Sequence, residues 1–144
     1  PARATSRDML DAMDPDLSAF RARGGKMITH FGWADTALNP MMGVHYYEDV
    51  LATMGQSDTL DFYRFFTVPG MFHCAGGLGT DRFDVMTPLV NWVEGGVAPD
   101  TIPAARVESG QVTRTRPLCP YPQVARYTGS GSIDDATNFA CAAP

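Results

Sequence analysis

Two short apolar runs stand out in the pattern of hydrophobic and polar positions, and each predicts a β-strand. The first run covers residues 26–31 and the second covers residues 62–68. The second run is the more strongly apolar, which is typical of a strand buried on both faces of a parallel sheet. We therefore expect two parallel strands separated by a helical connection.

Apolar residues spaced three or four positions apart predict a helix after each strand. One helix is expected over residues 40–54, opened by Pro40, because proline is favoured in the first turn of a helix. Another is expected over residues 81–94, where Pro88 either kinks the helix or moves its start towards Thr87. The remaining predicted elements are short helices over residues 6–14 and 16–23, a polar turn at 56–59, and strands over 102–107 and 112–116 that form a hairpin around Ser109 and Gly110.

The order of strand, helix, strand and helix predicts the α/β class, as the last part of a doubly wound sheet. Two parallel strands do not make a stable sheet by themselves, because such sheets need several strands and cover on both faces. We therefore expect the chain to need further strands from outside its own sequence.

Composition excludes some classes of partner. The chain has 144 residues, 44% of them hydrophobic, and a formal net charge of −5. It carries no cluster of Lys and Arg, so nucleic acid is not an expected partner. No apolar run approaches the roughly 18 residues that a membrane span requires, so a membrane is not expected either.

The strand ends carry the candidate chemistry. The second strand leads into Pro69 and a glycine-rich loop that presents His73, and the first strand leads into a loop that contains Asp35. A strand that ends by displaying a histidine on a loop, with the acid earlier in the chain, is how α/β-hydrolases position a catalytic base. The chain has no Gly-x-Ser-x-Gly motif, so the nucleophile is expected outside it. We predict Asp35 as the acid and His73 as the base.

Each of these residues has a simpler alternative role. Asp35 could cap the turn or helix that follows it, and His73 could be a loop histidine without a catalytic role. Asp84, just after the His73 loop, is a rival for the acid. A metal site built from His30 and the other histidines is not expected, because their spacing matches no ligand motif.

The three cysteines divide into a pair and one left over. Cys119 and Cys141 flank a Pro- and Gly-rich tail, predicted to be irregular, which a disulfide between them would hold in place. Cys74 could be a nucleophile with His73, a buried apolar residue, or the partner of a cysteine outside this chain. The odd count favours the third alternative.

Aromatic side chains lie next to both candidate loops. Trp33 precedes Asp35 and Phe72 precedes His73. They are candidate lining residues of an apolar pocket for an aromatic acyl group, and ordinary core packing is the alternative for both.

Several long motifs resemble the tannase and feruloyl esterase family, over nearly all of the chain from about residue 14 to residue 141. The resembling segments are GGKMI (24–28), GWAD (32–35), VPGMFHCAGG (68–77), FDVMTPLVNWVE (83–94) and RTRPLCPYP (114–122). The resemblance implies secreted or periplasmic α/β-hydrolases with a lid inserted into the catalytic domain, which hydrolyse esters of aromatic acids.

The resemblance also implies roles for single residues. Asp35 takes the position of the triad acid, and His73 that of the base. Cys74 takes the position of a cysteine bonded to the cysteine just before the nucleophilic serine, and Cys119 with Cys141 matches a disulfide of the tail.

In such a protein the serine, the oxyanion hole and the lid with its calcium site lie upstream of the matched residues. No cofactor is therefore expected in this chain. Its expected partners are that upstream segment and an aromatic ester.

Residues 1–116 are then the C-terminal portion of an α/β-hydrolase catalytic domain, and residues 117–144 are its disulfide-stapled tail. The alternative function is a non-catalytic module that binds a small phenolic ligand.

Overall fold

The computed structural model of the chain describes residues 11–144. Most of the helix predicted over residues 6–14 lies outside this part, and residues 11–17 adopt no helix or strand. The first described element is the helix α1 (Ser18–Ala22), which is shorter than the predicted 16–23.

Two parallel strands organise the site. Strand β1 (Met27–Gly32) pairs with strand β2 (Tyr63–Val68) in register from Met27 opposite Tyr63 to Gly32 opposite Val68. The connection between them contains the helices α2 (Met41–Met54) and α3 (Gln56–Phe62). Both predicted strands and the predicted helix over 40–54 are confirmed.

The polar turn predicted at residues 56–59 is wrong, because these residues begin helix α3. Helix α2 ends at Met54 and is followed by Gly55, whose φ of 83° only glycine adopts readily; helix α3 starts at the next residue. The Thr59 hydroxyl donates to the carbonyl of Gly55 at 2.8 Å, and Thr59 and Phe62 are buried. Residues 56–58 are therefore exposed in the first turn of helix α3. The buried positions of this helix follow at Thr59 and Phe62.

An aromatic core joins helix α2 to the parallel strands. Its buried members are Val44, Tyr47, Val50, Phe62, Tyr63 and Phe65. The rings of Tyr47 and Tyr63 meet edge to face at 4.9 Å between centroids, an arrangement that aromatic quadrupoles favour. The Tyr63 hydroxyl also lies 2.9 Å from Oγ1 of Thr29 on the neighbouring strand. This core fixes strand β2, and with it the start of the His73 loop.

A second sheet is antiparallel and follows the His73 loop. Its strands lie in the order β3 (Arg82–Phe83), β4 (Ile102–Glu108) and β5 (Gln111–Leu118). The hairpin predicted around Ser109 and Gly110 is confirmed, and both residues have positive φ.

Helix α4 (Met86–Gly95) connects β3 to β4 and starts later than the predicted 81–94. Oδ1 of Asp84 accepts from the amides of Met86 and Thr87, which caps the helix at this point. Pro88 then lies in the first turn, where its missing N–H is not needed. The start near Thr87 was one of the two alternatives that the sequence left open.

The tail is more regular than predicted. Strand β6 (Val124–Tyr127) pairs antiparallel with strand β7 (Phe139–Ala142), after a short 3₁₀-helix over Ala136–Asn138. Cys119 and Cys141 form a disulfide across a separation of 22 positions. The prediction of an irregular tail is therefore wrong, because short strands joined by a long connection leave no local pattern in the sequence.

The α/β class is confirmed, whereas the doubly wound sheet stays a prediction. Within residues 11–144 the structure contains one parallel pair of strands, a three-stranded antiparallel sheet and a two-stranded antiparallel sheet. Strand β5 runs across the predicted boundary between residues 116 and 117, so the tail continues directly from this sheet. None of the helices found in residues 11–144 is long and apolar enough to cross a membrane.

Candidate active site

Asp35 and His73 meet at the carboxyl ends of the two parallel strands. Nδ1 of His73 lies 2.8 Å from Oδ2 of Asp35, although the residues are 38 positions apart in the chain. Parallel strands end at the same edge of a sheet, so the loops after β1 and β2 are neighbours. The parallel pairing of the strands therefore creates the contact.

Backbone contacts hold the two loops together. The amide of Trp33 donates to the carbonyl of Val68 at 2.9 Å, and the amide of Ala34 donates to that of Met71 at 3.0 Å. At the end of β1, a Cβ atom on Gly32 would lie 2.3 Å from the carbonyl oxygen of Phe72. A glycine at this position is therefore what allows the His73 loop to approach the Asp35 loop.

The Asp35 carboxylate is shared between a turn and the histidine. Oδ1 accepts from the amides of Ala37 at 2.7 Å and Leu38 at 3.0 Å, while Oδ2 faces His73. Its side chain is only 3% exposed. The hydrogen bond from Leu38 is the main cause that lowers the pKa of Asp35, with His73 and Ala37 contributing and burial opposing. The capping role and the contact with the histidine are thus both present in one side chain.

The contact with Asp35 engages Nδ1 of His73 and leaves Nε2 as the second ring nitrogen. The ionised carboxylate of Asp35 accepts a hydrogen bond, so the proton of the neutral imidazole belongs on Nδ1. Nε2 is then the nitrogen that accepts a proton. The side chain is 52% exposed, which leaves the ring accessible in the part of the chain that the structure describes.

The His73 loop turns tightly on glycines. The amides of Leu78 and Gly79 both donate to the carbonyl of Gly70, at 2.9 and 3.1 Å. A Cβ atom on Gly77 would lie 2.1 Å from the Gly70 oxygen.

Two charged side chains that sequence analysis did not assign to the site also reach this loop. Oδ2 of Asp81 accepts from the amide of Gly76, and Arg106 donates to the carbonyl of Gly77, each at 2.8 Å.

Cys74 is an exposed, free thiol at the tip of the same loop. Its φ of 64° lies in the left-handed region, which costs a residue with a Cβ atom about 1–2 kcal/mol. Its predicted pairing with a cysteine outside this chain stays a prediction.

Asp84, the rival candidate for the acid, and His30 each make contacts of their own. Asp84 caps helix α4, and its hydrogen bonds with Thr87 are the main cause that lowers its pKa. The His30 ring packs edge-on against Phe83 at 5.0 Å, its Nδ1 is buried without a hydrogen-bond partner, and burial lowers its pKa. Within residues 11–144 the structure contains no group of three or more His, Cys, Asp or Glu side chains that could hold a metal ion.

The two candidate pocket residues are exposed beside the site. Trp33 is 46% and Phe72 is 45% exposed, and Leu38, Met41 and Met42 add further exposed apolar surface. A cavity of about 290 Å³ lies elsewhere, lined among others by Pro69, Thr80, Arg114 and Arg116. The pocket predicted around Trp33 and Phe72 stays a prediction.

Comparisons with known proteins agree on one family. The family model described as "Tannase and feruloyl esterase" matches residues 2–142. A mono(2-hydroxyethyl) terephthalate hydrolase of Piscinibacter sakaiensis is 54% identical over 143 residues, which cover 97% of this chain and 23% of that protein. A probable feruloyl esterase B-1 of Aspergillus oryzae is 36% identical over 97% of this chain and 29% of its own length.

Solved structures agree with this result. The crystal structure of feruloyl esterase B from Aspergillus oryzae matches with a TM-score of 0.87 at 34% identity, over 98% of this chain and 31% of that one. A tannin acyl hydrolase from Aspergillus niger matches with a TM-score of 0.76 at 29% identity, over 94% of this chain and 26% of that one. The chain therefore spans less than a third of the length of these relatives.

Proposed function

Because the chain belongs to the tannase and feruloyl esterase family, we propose that it is the C-terminal part of a serine carboxylesterase that acts on esters of aromatic acids. The observation that carries the proposal is the 2.8 Å contact between Asp35 and His73. An acid and a base in this order and geometry are what a Ser-His-Asp triad requires of two of its members, which supports the proposal. The serine, the oxyanion hole and the lid would come from the segment outside this chain.

The reaction follows from the roles of the two side chains. Nε2 of His73 takes the proton of the serine hydroxyl while the serine oxygen attacks the ester carbonyl carbon. Asp35 holds the ring in the required tautomer and stabilises the imidazolium that forms. The imidazolium then gives its proton to the departing alcohol as the ester C–O bond breaks, which leaves an acyl-enzyme. Water, deprotonated by the same nitrogen, attacks the acyl carbon. The proton then passes from Nε2 to the serine oxygen as the bond between that oxygen and the acyl carbon breaks, which releases the aromatic acid and the free serine.

The charge state of Asp35 supports this assignment. Burial alone would raise its pKa, but the hydrogen bonds, above all that from the amide of Leu38, lower it, and the carboxylate is ionised at neutral pH. An ionised carboxylate stabilises an imidazolium, whereas a neutral acid does not. The turn that begins at Asp35 thus keeps the group in the form that the reaction requires.

The apolar surface beside Asp35 and His73 supports an aromatic substrate. Trp33 and Phe72 present exposed rings next to Asp35 and His73, and such rings contact an aromatic acyl group favourably. The named relatives include feruloyl esterases and a tannin acyl hydrolase. The lid would complete the pocket and select among these esters.

Cys74 fits a bridge to the segment that carries the serine. It is exposed and free, and its left-handed backbone is strained, a conformation that persists only where the surroundings impose it. We assign it as the partner of a cysteine next to the serine, and peptide mapping of the complete, non-reduced protein tests this pairing. The disulfide between Cys119 and Cys141 supports a secreted or periplasmic location, because such bonds persist in oxidising compartments.

The direct test is hydrolysis of a simple aromatic ester, such as methyl ferulate, by the complete protein. His73→Ala should lower kcat by about 10⁶-fold. His45→Ala, a change at an exposed histidine of helix α2, is the matched control and should leave kcat unchanged. Near-normal turnover by His73→Ala would contradict the proposal. Saturable binding of a phenolic acid without any turnover by the wild type would instead favour the non-catalytic binding module.

A further inference from the structure

The loop that carries His73 is closed at its neck by its own backbone. Met71 and Gly77 form an isolated antiparallel bridge, and the amide of Phe72 donates to the carbonyl of Gly76 at 3.1 Å. Residues 73–75 form the tip beyond this neck. The orientation of the imidazole therefore depends on the neck, where the loop meets the rest of the fold.

The tip and the neck of the loop do not hold their shape by local preference. Cys74, Gly76 and Gly77 all have positive φ, with values of 64°, 78° and 96°. Glycines leave the unfolded backbone very mobile, and a left-handed residue with a Cβ atom is intrinsically unfavourable. Such a segment needs fixed external contacts to remain in one conformation.

Two charged side chains supply these contacts. Oδ2 of Asp81 accepts from the amide of Gly76, and a terminal nitrogen of Arg106 donates to the carbonyl of Gly77, each at 2.8 Å. The Asp81 side chain is 12% exposed and that of Arg106 is 22% exposed. Hydrogen bonds with one charged partner are about twice as strong as neutral ones, and shielding from water preserves them.

Arg106 lies in strand β4 of the antiparallel sheet, and Asp81 directly precedes strand β3 of the same sheet. The amide of Asp81 donates to the carbonyl of Ala105 at 3.1 Å, which places Asp81 beside strand β4. Arg106 is the next residue of that strand, and its guanidinium also binds Glu108 at 2.9 Å. The contacts to Gly76 and Gly77 therefore link the loop to the sheet β3-β4-β5, which follows it in the chain.

We propose that Asp81 and Arg106 are positioning residues, which clamp the neck of the loop so that His73 stays aligned with Asp35 during the reaction. The proposal rests on the proposed function, because alignment matters only if His73 is the base. Neither side chain contacts His73 in this role. Each acts through the backbone of Gly76 or Gly77.

The test compares Asp81→Ala, Asp81→Asn and Arg106→Met in the complete protein. Asp81→Ala removes the acceptor, and kcat should fall on the order of tenfold or more while KM stays nearly constant, because the loss is one of alignment. Asp81→Asn keeps an oxygen that accepts from Gly76 and should recover most of the lost kcat. Arg106→Met keeps the apolar stem without the donor, and its kcat should fall like that of Asp81→Ala.

Asp84→Ala is the matched control. Asp84 lies three positions further on and also accepts from backbone amides, but those amides belong to helix α4. This change should lower the thermal stability and leave kcat nearly unchanged. A positioning role and a purely structural role are thereby separated, because only the former moves kcat at constant KM and is restored by asparagine.

The outcomes test the positioning role of Asp81 and Arg106 separately from the proposed esterase activity. If His73→Ala abolishes turnover and Asp81→Ala keeps a wild-type kcat, the clamp is wrong and the esterase stands. If His73→Ala itself keeps turnover, the proposed function fails first. Should Asp81→Ala fail to fold, Arg106→Met and Asp81→Asn carry the test. A wild-type kcat in Arg106→Met, or a large loss in Asp81→Asn, then overturns the clamp.

Discussion

Gly32 at the end of β1 and Phe72 in the His73 loop approach so closely that a single added carbon atom would not fit between them. A Cβ atom on Gly32 would lie 2.3 Å from the carbonyl oxygen of Phe72 and 2.6 Å from that of Met71. Both obstacles are backbone atoms, which cannot move aside by a change of rotamer. The distance between the Asp35 loop and the His73 loop therefore depends on the absence of a side chain at this position.

The first prediction follows from this approach. Gly32→Ala should push the two loops apart, lowering the free energy of unfolding by about 1–3 kcal/mol because of overpacking. It should also lower kcat, since the contact between Asp35 and His73 spans these loops. Urea unfolding and ester hydrolysis by the complete protein measure the two effects.

Gly95→Ala is the control for that variant. A Cβ atom there meets nothing within 4 Å, and alanine is favoured over glycine in a helix by up to about 1 kcal/mol. Stability should be unchanged or slightly higher, with full activity. An active, fully stable Gly32→Ala protein would contradict the importance of the close approach.

A second prediction separates the two roles of Asp35. Asparagine can still accept from the amides of Ala37 and Leu38 and so keep the turn, but it does not stabilise the imidazolium of His73. Asp35→Asn should therefore lower kcat by about 10⁴-fold while changing the free energy of unfolding by less than about 1 kcal/mol. A kcat near that of the wild type in Asp35→Asn would mean that the residue serves the turn alone.

The lowered pKa of Asp35 adds a pH dependence to the same comparison. A carboxyl group whose pKa is lowered on folding contributes stability above its ordinary pKa of 3.8, and this contribution is lost as the pH falls through the lower value. The free energy of unfolding of Asp35→Asn should therefore fall less than that of the wild type as the pH is lowered. The pKa of Asp84 is also lowered, so Asp84→Asn should remove a second, separate contribution and keep that of Asp35.

A third prediction concerns alkaline unfolding. Burial raises the pKa of Tyr63 from 10.0 to about 12, so the folded state favours the neutral phenol. The stability that this preference provides is complete below about pH 10 and is lost as the pH rises towards about 12. Tyr63→Phe should flatten this loss, whereas Tyr127→Phe, a change at a ring that is 40% exposed, should not. The free energy of unfolding, measured with denaturant across this pH range, tests the prediction.

The parts of the fold that the sequence predicted are those with a strong local pattern. Strands β1 and β2 are short apolar runs, and helix α2 has regular apolar spacing after Pro40. The expectation that Asp35 and His73 would be neighbours needed only one further rule, namely that parallel strands end at the same edge of a sheet. The resemblance of long motifs to one family pointed to the same two residues.

The missed parts depend on contacts between distant positions. Helix α3 begins with polar residues, and its helical character depends on the burial of Thr59 and Phe62 in a core built elsewhere. Strands β6 and β7 pair across a long connection that has no pattern of its own. Nothing in the local sequence shows that the carboxylate of Asp81 turns back to accept from the amide of Gly76.

The central claim is that Asp35 and His73 activate a serine, and labelling by a fluorophosphonate tests it without knowledge of the natural ester. In the complete wild-type protein, the serine oxygen should displace fluoride from phosphorus, and mass spectrometry should find the label on a serine outside these 144 residues. The labelling rate should fall on the order of a thousandfold or more in His73→Ala and remain unchanged in His45→Ala. Equal labelling rates in the wild type and His73→Ala, or no labelled serine in the wild type, would contradict the account.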